Sequence, residues 1–234
     1  MKLLALDTAT EACSAALYID GKITAKYQLA PREHTKLILK MIEDLLAEAD
    51  LKVTSLDAIA FGRGPGSFSG VRIATGVTHG LAFAADLPVI PVSTLASIAQ
   101  STYNEHQTEN VLAGIDARMG EIYWGCYQLA DNGLMTLNGA EQVSAAELMQ
   151  LPGDRQWVGS GSAWKGYPDQ LNQQFGNLLK QTFADYLPDS ASIVQLAAYE
   201  YSAGRMLEAS QAQPVYLRNN VAKKSAEQKS LKNG

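Results

Sequence analysis

The stretch Phe61-Gly-Arg-Gly-Pro-Gly-Ser-Phe-Ser-Gly-Val-Arg-Ile-Ala-Thr-Gly76 constrains the fold more than any other part of the chain. Gly62, Gly64, Gly66 and Gly70 crowd around Pro65, and the pattern then turns helical. The segment therefore reads as a strand end, a tight backbone turn and a helix start, with Ser67 or Ser69 placed to cap the helix. Such turns bind phosphate where bare N–H groups and the positive end of a helix dipole converge. Here no lysine follows the glycines, as a lysine-bearing phosphate loop requires. Gly64-Pro-Gly66-Ser-Phe-Ser supplies only the first two glycines of a dinucleotide fingerprint. A structural turn is the favoured reading, and an anion site is the other.

The 234 residues suffice for one large domain or two small ones, and 18% charged with 47% hydrophobic residues is ordinary for a globular chain. A net charge of −5 argues against unaided binding of nucleic acid, because that affinity comes from phosphate neutralisation by lysine and arginine. Cys13 and Cys126 are too few for a disulfide scaffold. Asp7 interrupts the short apolar run at the start, and no run approaches the ~20 apolar residues of a membrane span. The expectation is a cytoplasmic protein with no membrane segment.

Strands are expected at Leu3–Asp7, Ala12–Asp20 and Ile23–Leu29, with Asp20-Gly21 as a hairpin turn. Helical periodicity covers His34–Ala49. A strand at Leu56–Phe61, the Gly-rich turn, a helix from Ser69 to about Ala85, a strand at Leu87–Val92 and a helix capped by Ser93 or Thr94 follow. The order then restarts, with strands at Asn110–Asp116, Glu121–Leu129 and Leu134–Val143. Both halves begin strand, aspartate, turn, strand, Gly-turn, strand, which points to a duplicated βββα unit. A short helix near Ala145–Gln150, a strand at Gln156–Gly159 and a helix over Ile193–Glu208 come next. The stretch before Pro188 is poorly patterned, and Pro214–Arg218 reads as extended. The lobes are expected to divide as 1–105 and 106–208, with 209–222 packing near the first and 223–234 a disordered basic tail.

Two-lobed folds of this strand order can close on a nucleotide through an Asp-x-Gly-x-Thr hairpin in each lobe. Here the first hairpin reads Asp7-Thr-Ala9-Thr-Glu11 and the second Asp116-Ala-Arg118-Met-Gly120, with alanine and arginine at the glycine positions. Asp7 and Asp116 are thus weak candidates for holding a cofactor. Gly159-Ser-Gly161 could approach an adenine or ribose, although a plain loop is favoured. His34, His79 and His106 have no histidine four residues on, neither cysteine has a ligand-spaced partner, and no Gly-x-Ser-x-Gly elbow exists, so no metal ligand or catalytic residue is assigned.

On a helix, Leu37, Ile38, Leu39, Met41, Ile42, Leu45, Leu46 and Ala49 span an arc of roughly 200°, about twice what a surface helix needs. The helix after the Gly-rich turn is similar, leaving Arg72, Thr75, Thr78 and His79 as a polar strip, and Gly76 and Gly80 are spaced for close helix approach. The excess is expected to be a partner interface built from Leu37, Ile38, Met41, Ile42, Leu45, Gly76, Val77 and Gly80, rather than surface covered by the second lobe. Met41→Glu is expected to break assembly and leave the fold intact.

Asp7-Thr-Ala-Thr-Glu-Ala-Cys13, Pro31-Arg-Glu-His-Thr35, Gly62–Ile73, Ile115–Tyr123 and Pro214-Val-Tyr-Leu-Arg-Asn-Asn220 together resemble the TsaB (YeaZ) family of bacterial tRNA threonylcarbamoyladenosine synthesis. The resemblance runs from Met1 to about Asn220 and is weakest over Leu134–Pro188. It implies an α/β, two-lobed actin-like ATPase (ribonuclease H-like) fold of duplicated βββαβα units, without conventional ATPase activity. It further implies a non-catalytic activator that pairs with a TsaD-like catalytic paralogue and a TsaE-like ATPase. The complex transfers threonylcarbamoyl to the adenosine beside the anticodon of tRNAs reading A-starting codons. By the same resemblance, tRNA is reached through that complex, a homodimer forms without the partners, and any nucleotide lies at the partner interface, the chain having no cofactor of its own. The TsaD-like subunits carry two metal-binding histidines four apart where this chain has His34 and then Ile38. The alternative is an actin-like enzyme, a small-molecule kinase or hydrolase, working in the cleft between Asp7 and Asp116.

Overall fold

The computed structural model describes residues 1–218. Strands β1 (Lys2–Asp7), β2 (Ala12–Ile19) and β3 (Lys22–Leu29) form an antiparallel meander, and the Asp20-Gly21 turn takes φ of 47° and 97°, the positive values that a two-residue hairpin demands. Helix α1 (His34–Glu48), strand β4 (Ala58–Gly62), helix α2 (Phe68–Ala85), strand β5 (Val89–Val92) and helix α3 (Thr94–His106) follow. With β4 and β5 parallel to β1, the sheet order is β3-β2-β1-β4-β5.

The second half is β6 (Asn110–Arg118), β7 (Glu121–Leu129), β8 (Met135–Leu137), β9 (Gln142–Ser144), β10 (Trp157–Ser160), α4 (Ala163–Gly166), α5 (Pro168–Phe175), β11 (Leu179–Phe183) and α6 (Ser190–Ser202). Its sheet order, β8-β7-β6-β10-β11, repeats the first, with β9 added alongside β7. The duplication expected from the sequence is present in the topology. The single strand expected over Leu134–Val143 is instead β8 and β9, separated by a turn at Gly139 with φ 98°. The poorly patterned stretch holds α4, α5 and β11.

Each sheet is covered on both faces, and the inner covers are exchanged. Helices α1 and α2 pack on one face of the first sheet, where Ile38, Met41, Ile42 and Leu45 meet Leu4, Leu6 and Phe61. The other face, carrying Leu3, Ala5, Ala60 and Ile90, is covered by Ile193, Val194 and Ala197 of α6. Leu95, Ile98 and Ala99 of α3 pack in turn against Val111, Ala113 and Ile115 of the second sheet. The division 1–105 and 106–208 is therefore corrected at both ends, since the last helix of each repeat sits on the sheet of the other. Buried polar contacts sew this seam. The Ser14 and Ser190 hydroxyls lie 2.8 Å apart, Ser97 Oγ donates to the Asp189 carbonyl at 2.9 Å and Ser101 Oγ donates to Asp189 Oδ2 at 2.8 Å.

The C-terminal segment packs on the first lobe as expected, Ala212 in its core and the Val215 N–H donating to the Arg63 carbonyl at 2.7 Å. It then crosses over, and Arg218 pairs with Glu121 and donates to the Arg118 carbonyl at 3.1 Å. The expected packing of 219–222 and the expected basic tail at 223–234 lie outside the described residues.

Candidate functional site

At the top of β1 the chain turns through Thr8, Ala9 and Thr10, all buried, and the Gly-rich turn lies directly on them. The Ser67 N–H donates to the Ala9 carbonyl at 2.7 Å and Thr8 Oγ1 to the Gly70 carbonyl at 2.7 Å. A side chain at Gly66 would come within 2.5 Å of the Ala9 carbonyl, and one at Gly70 would overlap the Thr8 carbonyl. These glycines serve backbone-to-backbone packing, as the structural reading of the turn requires. Of the two candidate caps, Ser67 does the work, accepting from the Gly70 N–H at 3.1 Å.

Asp7 points into this packing and not into open space. It is fully buried; Oδ1 accepts from the Ala9 N–H at 3.0 Å, and Oδ2 has no partner among the described residues. Burial pushes its carboxyl up to about 7, the Ala9 hydrogen bond opposing this and the nearby Asp189 adding to it. Oδ2 sits where a side chain on Gly62 would be. Gly62→Ala is accordingly expected to lower stability by about 2 kcal/mol, read as a melting temperature several degrees lower, because neither the carboxylate nor the strand can give way cheaply.

The second hairpin is filled from within. Asp116 Oδ1 accepts from the Arg118 N–H at 2.7 Å and from the Tyr167 hydroxyl at 2.9 Å, while Arg118 Nη1 holds Oδ2 at 2.8 Å. Arg118 therefore supplies, at the position where glycine would admit a phosphate, a guanidinium that occupies the carboxylate itself. Its Nη2 reaches Glu11 of the first hairpin at 3.3 Å, bridging the cleft. The Gly159 loop is likewise taken up, since a side chain there would lie 2.5 Å from Trp164 Nε1, and one at Gly114 would lie 2.8 Å from the same indole. Tryptophan packing accounts for both glycines.

His34 is buried, with Nε2 lacking a partner among the described residues, and Ile38 one turn on lies in the core. No three His, Cys, Asp or Glu side chains converge among the described residues as a metal would require. Burial pushes the Cys13 thiol up to about 11 and the Cys126 thiol up to about 12, which leaves neither as a ready nucleophile.

The sequence-derived interface set divides in the structure. Ile38, Met41, Ile42 and Leu45 face the first sheet and are buried, so they belong to this chain's own core; Leu37 and Val77 are half-buried. The physical reason is phase. Residues 34, 38, 41, 42, 45 and 46 make one stripe at helical spacing, and the charged ladder of Lys40 with Glu43 and Asp44 marks the opposite face. The polar strip assigned to α2 also divides. Thr75 and Thr78 turn inward, Thr75 Oγ1 donating to the Val71 carbonyl at 2.8 Å, whereas Arg72 and His79 are exposed.

On the outer side of α2, Gly76 and Gly80 are bare, with nothing within 4 Å of where a side chain would begin. Phe83 beside them is 77% exposed and meets His79 edge-on at 6.3 Å. Phe83, together with Leu39 on α1 at 52% exposure, is an exposed apolar side chain outside the sequence-derived set. The i, i+4, i+7 spacing of Gly76, Gly80 and Phe83 was the signal that could have found it. Toward the start of α2, Arg72 lies 3.6 Å from the centre of the Phe68 ring and donates to the Tyr216 hydroxyl at 2.9 Å.

Two copies of one sheet order, interlocked by exchanged helices around a cleft, define a two-lobed actin-like protein of the class that includes TsaD. The family model described as "TsaD: tRNA N6-adenosine threonylcarbamoyltransferase" matches residues 22–229. Among curated proteins, the tRNA threonylcarbamoyladenosine biosynthesis protein TsaB of Escherichia coli (strain K12) is 44% identical over 95% of this chain and 96% of its own length. The TsaB protein of Haemophilus influenzae is 44% identical over 94% and 95%. Of solved structures, YeaZ from Pseudomonas aeruginosa superposes with a TM-score of 0.87 at 48% identity, covering 92% of this chain and 99% of that one. The chain belongs to the TsaB family.

Proposed function

We propose that this chain serves tRNA threonylcarbamoyladenosine biosynthesis as a non-catalytic partner subunit. Its outer α2 face docks a TsaD-like catalytic paralogue, a TsaE-like ATPase joins the assembly in the cytoplasm, and tRNA is met through the complex. The observation that carries this reading is the contrast between cleft and helix. At the cleft Asp7 is sealed, Asp116 is paired with Arg118 and Gly159 is covered by Trp164, whereas α2 presents two bare glycines and an exposed phenylalanine. The family's printed names support the pathway. Packing another helix over Gly76 and Gly80 would bury Phe83 and bring two backbones close, as a helical interface of roughly 800 Å² per partner requires.

The same face would close on a second copy when no partner is present, and any nucleotide of the assembly would sit at the contact with the partner rather than inside this cleft. The enzyme alternative fares worse, because Asp7 is sealed and Asp116 is neutralised by Arg118. Size-exclusion chromatography with light scattering, on the chain alone and mixed with the same cell's TsaD-like paralogue, tests the proposal. A homodimer exchanged for a one-to-one heterodimer is expected; two proteins that elute independently, with ATP and the TsaE-like component present, would refute it.

A further inference from the structure

A concavity of about 560 Å³ lies between the lobes where β5, the edge of the first sheet, approaches β8, the edge of the second. Its volume falls in the range of small-molecule sites, and it shares no residue with the Asp7 cleft or with the Gly76–Gly80 face. The two strand edges are already blunted. Val89 is bridged to Leu207, Pro91 has no N–H, and the Met135 N–H is taken by Gln100 Oε1 at 2.9 Å. An added peptide strand would find no ladder to join. Recognition here must come from side chains.

Those side chains form a polar floor under apolar walls. Glu141, whose side chain is only 6% exposed, accepts from the Tyr127 hydroxyl at 2.7 Å and from Arg63 Nη2 at 3.1 Å, so both of its oxygens are engaged. Arg63 is 31% exposed and lines the concavity, and Nη2 is the one guanidinium nitrogen for which the described residues provide a partner, leaving donors to spare. At the far end Arg205 is spent on Glu200, with Nε to Oε2 at 2.5 Å and Nη2 to Oε1 at 2.9 Å. Leu134, Leu137, Leu196 and Pro91 supply the walls. A buried carboxylate whose oxygens are filled cannot attract a cation, whereas an arginine with spare donors beside apolar walls favours an anion with an apolar body.

We propose that this groove binds a small organic monoanion, a carboxylate carried on an aliphatic or aromatic body, with the head on Arg63 and the body against Leu134, Leu137 and Leu196. Sodium octanoate is a suitable probe, followed by amide NMR of the full chain, with octylammonium and 1-octanol as charge controls. The expected result is saturable shifts centred on Arg63, Ala96, Leu134 and Thr136 below about 10 mM octanoate, at least about tenfold weaker binding by Arg63→Met, and no matching response to octylammonium. Thr136 is exposed on the wall, so Thr136→Glu keeps the fold and is expected to weaken octanoate by a similar factor; it decides the matter if Arg63→Met does not fold. No saturable shift at these amides, or equal binding of 1-octanol, or octanoate binding unchanged in Thr136→Glu, would overturn the assignment.

Discussion

Asp7→Asn is expected to stabilise the protein at pH 8 to 9 by about 4 kcal/mol, a gain that shrinks to about 2 kcal/mol at pH 5. The folded chain holds the Asp7 proton up to about 7, whereas an unfolded aspartate gives it up near its ordinary value of 3.8. Between these two values the folded state binds a proton that the unfolded state has lost, so stability falls as pH rises through that window and levels off above it. The cause is burial, with the Asp189 charge adding to it, and Oδ2 has no donor to compensate. Asparagine keeps an oxygen for the Ala9 N–H and carries no charge, so its stability should be flat over the same range. Urea titrations of both proteins between pH 5 and 9 measure this directly. Parallel pH dependence in the two would show that Asp7 is not the group responsible. The result also bears on function, since a carboxylate that holds a metal–nucleotide must stay charged in its cleft.

The duplicated topology was legible because it is written in local signals. Each lobe opens with an apolar run ending in aspartate, and turn chemistry at Asp20-Gly21 fixes the first hairpin. The exchange of α3 and α6 was not legible. Periodicity tells which stripe of a helix is apolar, and Leu95, Ile98 and Ala99 or Ile193, Val194 and Ala197 would read the same over either sheet. Leu179–Phe183 escaped notice because β11 is an edge strand whose central residues are exposed, so it lacks the apolar run by which buried strands announce themselves.

At the cleft, the departures at Ala9, Glu11 and Arg118 were visible as letters, and they cast doubt on nucleotide binding. That Arg118 would fold back onto Asp116 and reach Glu11 needed coordinates, because three-dimensional pairing across two hairpins leaves no spacing rule. On α1 the composition was right and the phase wrong. A 200° apolar arc does not say which half meets the sheet, whereas the Lys40, Glu43 and Asp44 ladder does, and weighting it would have placed Met41 inside.

Gly80→Glu should separate folding from assembly, where Met41→Glu cannot. Met41 is 8% exposed among Ile38, Ile42 and Leu45, so a glutamate there buries an unpaired charge in the core and is expected to unfold the first lobe. Gly80 lies mid-helix on α2 with open space around it, so a side chain there meets nothing in the isolated chain and should raise helix stability by about 0.5–1 kcal/mol. In the proposed assembly the same side chain would hold the two backbones apart and bring a charge into a desolvated contact. A loss of at least about 3 kcal/mol, more than a hundredfold in Kd, is the expected consequence. Light scattering on the mixture with the TsaD-like paralogue, beside a thermal melt of the variant alone, reads both effects. An unchanged or higher melting temperature with co-elution abolished places the partner on α2, whereas full co-elution by Gly80→Glu would remove this face from the interface and leave its exposed Phe83 without a purpose.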